Sequence, residues 1–305
     1  MKKLLHYADC LILLGAIVGC VLRLWFSTEG LDHRGLYETD HPSWILLCLL
    51  SLGMVVFTWF LTRDVGTNND YQANFPKSKV ACVVNWLLAV YLGYTGWMDL
   101  RAGTGWIEIL VALASVISAV CLALAAIQRL EGVRPTALTH MFPCVFFALR
   151  LFLLGKEFGT EPELCSFLFR FLASVTLIPA FYCLWAFDMG QGNRRHSLLF
   201  SLCAIYFCLI TTVESQQGWV LYMLCAACLL SNLCRQRYLP GEEVPAESQV
   251  AAPAAVEVPA EPQAAAPAAV EVPENKQQLH GNIDPEADMD AFLEDIRLFL
   301  DDQGY

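Results

Sequence analysis

Apolar residues do not alternate along the first 238 positions of this chain; they come in long blocks separated by short polar connectors. Eight blocks stand out, at about 4–26, 43–62, 79–98, 105–127, 138–154, 164–187, 198–213 and 218–234. About 20 helical residues cross the roughly 30 Å of hydrocarbon in a bilayer, so each block is a candidate membrane span. In lipid a lone segment can satisfy its backbone groups only as a helix, and blocks of this length without a period of two predict helices rather than strands. The fifth, seventh and eighth are the shortest, near 17 residues. Only Glu214-Ser-Gln-Gln-Gly218 separates the last two, enough for a tight turn; a broken re-entrant pair is the alternative reading.

The pattern changes beyond residue 238. Residues 239–283 hold seven prolines among Ala, Glu and Val and show neither helical nor alternating periodicity. Ala251-Ala-Pro-Ala-Ala-Val-Glu-Val-Pro259 recurs identically as Ala265–Pro273. Such a segment buries too little apolar surface to offset the entropy of ordering and is expected to be a disordered tether. As a coil its ends would lie roughly 35–40 Å apart.

Residues 284–305 then regain a helical period. Asp284 suits a cap, Pro285 the first helical position, and Glu286 the positive helix end. Met289, Phe292, Leu293, Ile296, Phe299 and Leu300 fall on one face of that predicted helix. Its other face is acidic, with Glu286, Asp288, Asp290, Glu294, Asp295, Asp301 and Asp302. The expected organisation is therefore an all-α, polytopic membrane bundle of about eight spans over 1–238, a disordered linker over 239–283, and an acidic amphipathic helix over 284–305.

Composition supports the membrane class. The chain is 56% apolar and 16% charged, with a mean hydropathy of +0.48, whereas soluble domains carry about 25% charged residues. The net charge of −11 belongs to the tail. Residues 1–238 carry 17 Lys and Arg against 15 Asp and Glu, and residues 239–305 carry 2 against 15. Neither part offers the concentrated basic footprint that nucleic-acid binding needs, so no nucleic-acid partner is expected.

Charge placement predicts the orientation. With the N-terminus inside, the cytoplasmic flanks collect Lys2, Lys3, Arg63, Lys77, Lys79, Arg129, Arg134, Arg194, Arg195, Arg235 and Arg237. The outer flanks collect only Arg23, Arg34, Arg101 and Lys156. The positive-inside rule then sets both termini, and the acidic tail, in the cytoplasm of a cell-membrane protein. Trp25, Trp44, Trp97, Trp106 and Trp219 mark outer interfaces, Trp59 and Trp185 inner ones, and Trp86 lies within the third span. The N-terminus has a rival reading: Lys2-Lys3 and an apolar stretch ending Ile17-Val18-Gly19-Cys20 resemble a bacterial lipoprotein signal, which would make Cys20 a lipidated first residue. His6, Tyr7 and Asp9 interrupt that stretch, so the first span is expected to be retained.

Chemistry is sought first where charge meets hydrocarbon. Arg150 falls near the outer end of the fifth span and Arg170 in the outer half of the sixth, while Glu108 opens the fourth at the same depth. Facing one another they form a candidate anion or lipid-headgroup site. The competing reading has each arginine snorkelling to the interface or pairing with Glu108. Asp9 and Asn85 are buried polar candidates near the cytoplasmic side. The outer loop holds Asp32-His33 and Asp40-His41, two pairs that could ligate a metal or act as acid and base, although a polar turn accounts for them equally well. Cys225-Ala-Ala-Cys228 has metal or redox spacing but lies inside a span without a second pair, so packing is the expected role. All thirteen cysteines lie in predicted spans, which leaves no disulfide framework outside. His140 opens the fifth span alone and reads as an interfacial residue. No Gly-rich phosphate loop, nucleophile elbow or His-Glu-x-x-His is present, and no cofactor is expected.

Three function classes follow: a membrane anchor that docks a cytoplasmic partner through its terminal helix, a transporter or lipid-handling protein around Arg150 and Arg170, and a membrane enzyme using the outer Asp/His loop. The first is favoured. A helix with an acidic polar face is repelled by an anionic bilayer and suits a protein groove with a basic rim. That groove belongs either to a cytoplasmic partner protein or to the chain's own loops, where Lys77, Lys79, Arg194 and Arg195 lie.

Overall fold

In the computed structural model, every predicted apolar block coincides with a helix. The structure describes residues 7–30, 40–63, 65–66, 69–75, 77–103, 105–158, 164–213 and 218–236, with backbone alone at 157–158, 164–166 and 234–236. The helices are α1 (Ala8–Glu29), α2 (Pro42–Thr62), α3 (Tyr71–Asn74), α4 (Lys79–Ala102), α5 (Trp106–Glu131), α6 (Met141–Phe158), α7 (Leu164–Asp188), α8 (Arg194–Thr211) and α9 (Trp219–Gln236). No strand occurs among the described residues. The chain divides into two units, Met1–Val244 and Pro245–Tyr305, and all described residues belong to the first.

Local chemistry sets the helix ends. Pro42 occupies the first turn of α2, where its missing N–H costs nothing. The Ser78 hydroxyl accepts from the Ala81 N–H to start α4, and Asn193 Oδ1 accepts from the Arg195 N–H to start α8. Gly103 (φ 52°) and Gly132 (φ 75°) close α4 and α5 in the left-handed conformation that other residues adopt only with strain.

Among the described residues, five helices are long and apolar enough to cross a membrane: Ala8–Glu29, Pro42–Thr62, Lys79–Ala102, Trp106–Glu131 and Phe167–Asp188. The protein is an all-helical, membrane-embedded bundle. Two of the remaining long helices carry charge into their apolar run: α6 holds Arg150, and α8 opens on Arg194-Arg195-His196.

The packing explains why α8 is the more polar. It lies against α1, α2, α7 and α9, and Ser201 through Cys208 are all buried. A helix shielded by other helices does not need the apolar surface that lipid demands. The outer faces of α1, α2, α4 and α5 do need it, and they expose Leu14, Ile17, Val21, Leu49, Leu52, Val83, Val90 and Val120. Inside, Tyr206 and Tyr222 are fully buried, and their hydroxyls lie 3.2 Å from Ser51 Oγ and 3.5 Å from Ser174 Oγ. Helix α1 runs unbroken through Cys20, whose thiol donates to the Leu209 carbonyl on α8 at 3.5 Å.

Helices α4 and α5 pack along more of their length than any other pair among the described residues, and two glycines test how closely they approach. A Cβ at Gly96 would lie 2.9 Å from the Ala112 carbonyl oxygen and 3.0 Å from Ser115 Cβ, whereas one at Gly93 would meet only Ala119 Cβ at 3.6 Å. Small residues let membrane helices approach this closely. Gly96→Ala should therefore destabilise by about 1–3 kcal/mol through overpacking. Gly93→Ala should be neutral or stabilise by about 0.4–1 kcal/mol through the lost freedom of glycine in the unfolded chain. Paired unfolding titrations in detergent micelles check the contrast; equal effects would show that the two helices do not meet at Gly96.

Candidate functional site

The most concentrated buried chemistry lies where the C-terminal ends of α5, α7 and α9 meet α3, the start of α4 and the residues just before α6. Asp70 starts α3 by accepting from the Gln72 N–H at 3.0 Å, and the single turn that follows presents Tyr71. The rings of Tyr71 and Phe75 are 5.0 Å apart, and Phe75 meets Phe187 edge-on at 5.1 Å. Arg129 comes from the last turn of α5 and lies over the Phe75 ring, 4.8 Å from its centroid. Its Nη1 donates to the Tyr71 hydroxyl at 3.4 Å, while Nε and Nη2 are buried without a hydrogen bond.

Asp188, the last residue of α7, gathers the opposite side. Its Oδ2 lies 2.6 Å from His140 Nδ1 and accepts from the Thr139 hydroxyl at 3.3 Å. Its backbone carbonyl accepts from Arg134 Nε at 2.5 Å. Its Oδ1 is buried with no partner. The carboxylate fixes the imidazole through Nδ1 and leaves Nε2 without a hydrogen bond among the described residues, the arrangement that suits a histidine to exchange protons. From the membrane-facing side, Asn85 on α4 accepts from the Cys228 thiol at 2.9 Å, and Asn232 on α9 lines the same space. Burial pushes the Tyr71 phenol above its ordinary pKa, with the Arg129 charge and hydrogen bond opposing and Asp188 adding to the rise. The phenol therefore stays protonated at neutral pH and can donate as well as accept.

The residues singled out in the sequence are distributed differently. Arg150 lies near Tyr91 of α4 and Cys225 of α9, and its Nε is buried without a partner. Arg170 lies over the Phe167 ring at 4.6 Å, and its Nε is likewise unpartnered. The two share no hydrogen bond. Glu108 opens α5, half-buried and partnered. A further arginine stands near Arg170's turn: Arg23 of α1 lies 4.5 Å over Phe169, within the ring cluster Phe26, Trp44 and Phe169.

Asp32 and His33 lie outside the described residues, as do Met289, Phe292, Leu293, Ile296, Phe299 and Leu300. His41 faces Trp25 at 5.8 Å, and its Nδ1 is 2.6 Å from Ser43 Oγ; Asp40 is exposed beside it. No group of three or more His, Cys, Asp or Glu arranged to hold a metal occurs among the described residues. Cys225 and Cys228 are fully buried, free thiols. His140, expected as a solitary interfacial residue, is instead buried and held by Asp188, because α6 starts directly beneath the end of α7.

The cluster escapes a reading of the sequence because Arg129 and Asp188 sit at helix ends and Arg134 in a connector, where a charge ordinarily reaches water. The available signal was a coincidence of depth: Asn85 and Asn232 inside spans, and Tyr71 with Phe75 one turn apart in a polar connector, all at one end of the bundle. Comparison of the chain with protein-family models, curated proteins and solved structures finds no match in any of the three.

Proposed function

We propose that this chain is a polytopic cell-membrane anchor that recruits a soluble cytoplasmic protein through its C-terminal amphipathic helix. The observation that carries the reading is the pattern of residues 284–305, six apolar side chains on one helical face against seven acidic groups around the rest. Such a face is driven into an apolar groove, and its charge selects a groove with a basic rim over an anionic bilayer. The partner is therefore a protein carrying an apolar cleft bordered by Lys or Arg.

In this reading the bundle crosses the membrane eight times with both termini cytoplasmic. Each of α6, α8 and α9 has 18 residues, and at 1.5 Å per residue such a helix covers roughly 27 Å, close to the hydrocarbon thickness. The bias of Lys and Arg toward one set of connectors supports the orientation. The duplicated Pro/Ala/Glu segment gives the helix reach without fixing its direction.

The test uses the full chain in its native membrane, with a photo-crosslinking residue placed in turn at Phe292, Phe299 and Asp290. The same soluble protein should be trapped from both phenylalanine positions and not from Asp290. Ile296→Asp should then abolish the adducts, because one buried carboxylate in an apolar groove costs several kcal/mol. Adducts confined to the chain's own loops, or equally strong from all three positions, would overturn recruitment.

A further inference from the structure

Helices α2 and α7 both pack on α8 but share no extended contact with each other. At one end they are joined, where Trp44 of α2 meets Phe169 of α7 edge-on at 5.9 Å. Toward the other end they part, and α8 becomes the floor of a groove. Val55, Val56 and Trp59 of α2 form one wall and Thr176 of α7 the other, with Leu199 and Cys203 of α8 below. The groove holds about 320 Å³ of free space, the size of a small ligand cleft (roughly 300–1,000 Å³). No polar atom faces it, and the Thr176 hydroxyl is turned back to donate to the Leu172 carbonyl at 2.8 Å. Such a lining offers an occupant hydrocarbon contact and nothing else.

Two arginines mark the open end. Arg63 stands four residues beyond Trp59, with its guanidinium 6.0 Å from that ring's centroid, and Arg195 stands four residues before Leu199. Residues four apart share a helix face, so both arginines continue the sides of the groove toward the membrane interface. Arg63 is exposed and Arg195 half-buried, and neither has a carboxylate partner among the described residues. Their charges are therefore left for something outside the described bundle to neutralise.

Length selects the occupant. Arg63 to Val55 and Arg195 to Cys203 each cover eight residues, roughly 12 Å of helix. That depth lies within one leaflet, whose hydrocarbon is roughly 15 Å thick. A partner transmembrane helix would need a groove running through the whole bilayer, whereas this one is closed at its far end by Trp44 and Phe169. A single acyl chain needs only one leaflet and carries its own headgroup to the arginines. We infer that the groove between α2, α7 and α8 holds one acyl chain of an anionic phospholipid, with the headgroup phosphate bound by Arg63 and Arg195. Guanidinium groups bind phosphate oxygens in pairs, and basic pockets between membrane helices suit anionic headgroups. A zwitterionic lipid fits less well, because its own cation already balances its phosphate. The inference requires α8 to stand beside α2 and α7 in the bilayer, and it is independent of the tail, its partner and the orientation of the bundle.

The test reads Trp59, whose indole borders the groove and is exposed to whatever fills it. Full-length protein is reconstituted in phosphatidylcholine vesicles that contain a rising share of phosphatidylglycerol brominated in the upper part of one acyl chain. Brominated phosphatidylcholine serves as the reference, and Trp59 emission is taken as the difference between wild type and Trp59→Phe. Quenching should saturate at a much lower share of the anionic lipid, with a relative affinity on the order of twentyfold from two arginines at about fivefold each. Arg63→Gln and Arg195→Gln should each lower that ratio by about fivefold. Val56→Phe fills the groove while leaving both arginines in place, and should remove most of the preference. Equal quenching by the two lipids, or a preference that survives Val56→Phe, would leave only ordinary boundary lipid beside surface arginines and overturn the site. Quenching of Trp59 by neither lipid would mean that protein covers the groove, which overturns it as well.

Discussion

Asp188→Ala is expected to destabilise the bundle by about 1.5–3 kcal/mol, the usual worth of a hydrogen bond to a charged group. The Asp188 side chain is fully buried, lies 2.6 Å from His140 Nδ1 and accepts from the Thr139 hydroxyl at 3.3 Å. Alanine leaves the imidazole without its partner, while the Thr139 hydroxyl keeps its bond to the Thr136 carbonyl, and it removes a negative charge from the space that Arg129 also lines. Asp188→Asn keeps the volume and an acceptor oxygen but not the charge, so it should lie between wild type and alanine. The Arg134 hydrogen bond goes to the backbone carbonyl and survives both changes. Denaturant-driven unfolding in micelles, followed by helical circular dichroism, gives the comparison. A loss below about 1 kcal/mol for alanine would place Asp188 in the class of exposed ion pairs, contrary to its burial.

Phe181→Ala tests a different force. Phe181 of α7 is fully buried and stacks on Phe147 of α6, with ring centroids 5.4 Å apart and planes 16° apart. In a soluble core such a truncation costs about 3–5 kcal/mol, part of it from returning apolar surface to water. Here the disassembled helices remain in lipid, which is as apolar as the core, so that part disappears. What remains is the cavity: roughly 100 Å³ at about 24 cal/mol per Å³ is about 2.4 kcal/mol. Phe181→Leu, which refills most of the volume, should cost less than half as much. If alanine and leucine prove equal, the stack contributes nothing specific, and α6 and α7 associate by other contacts.

How much of this was legible in the sequence follows from what each element faces. Segments 43–62 and 79–98 meet lipid along one side, so their composition announced them, and α2 and α4 begin within a residue of the expected positions. Helix α8 was harder to delimit, expected at 198–213 and found at Arg194–Thr211. Its first turn carries Arg194, Arg195 and His196, which hydropathy assigns to a connector but the Asn193 cap draws into the helix. The candidate site was legible only in pieces. Arg150, Arg170 and Glu108 stood out because each interrupts an apolar run. The Arg129–Asp188 chamber did not, since its members come from six separate segments spread from Tyr71 to Asn232. Only packing brings them to one depth, and no spacing in a single sequence records that.

The enclosure of α8 has a consequence for how the protein is made. Helices α1 and α2 leave the ribosome about 130 residues before α8, yet α8 fills the space against them in the finished bundle. The early hairpin must wait in the bilayer with its inner face, Leu47, Ser51 and Thr58, unclaimed by its final neighbour. Assembly is therefore closed late, by a helix whose arginine-flanked start makes it a reluctant entrant to lipid. A nascent chain halted before residue 194 would hold its first two helices loosely, and release of α8 and α9 would lock them.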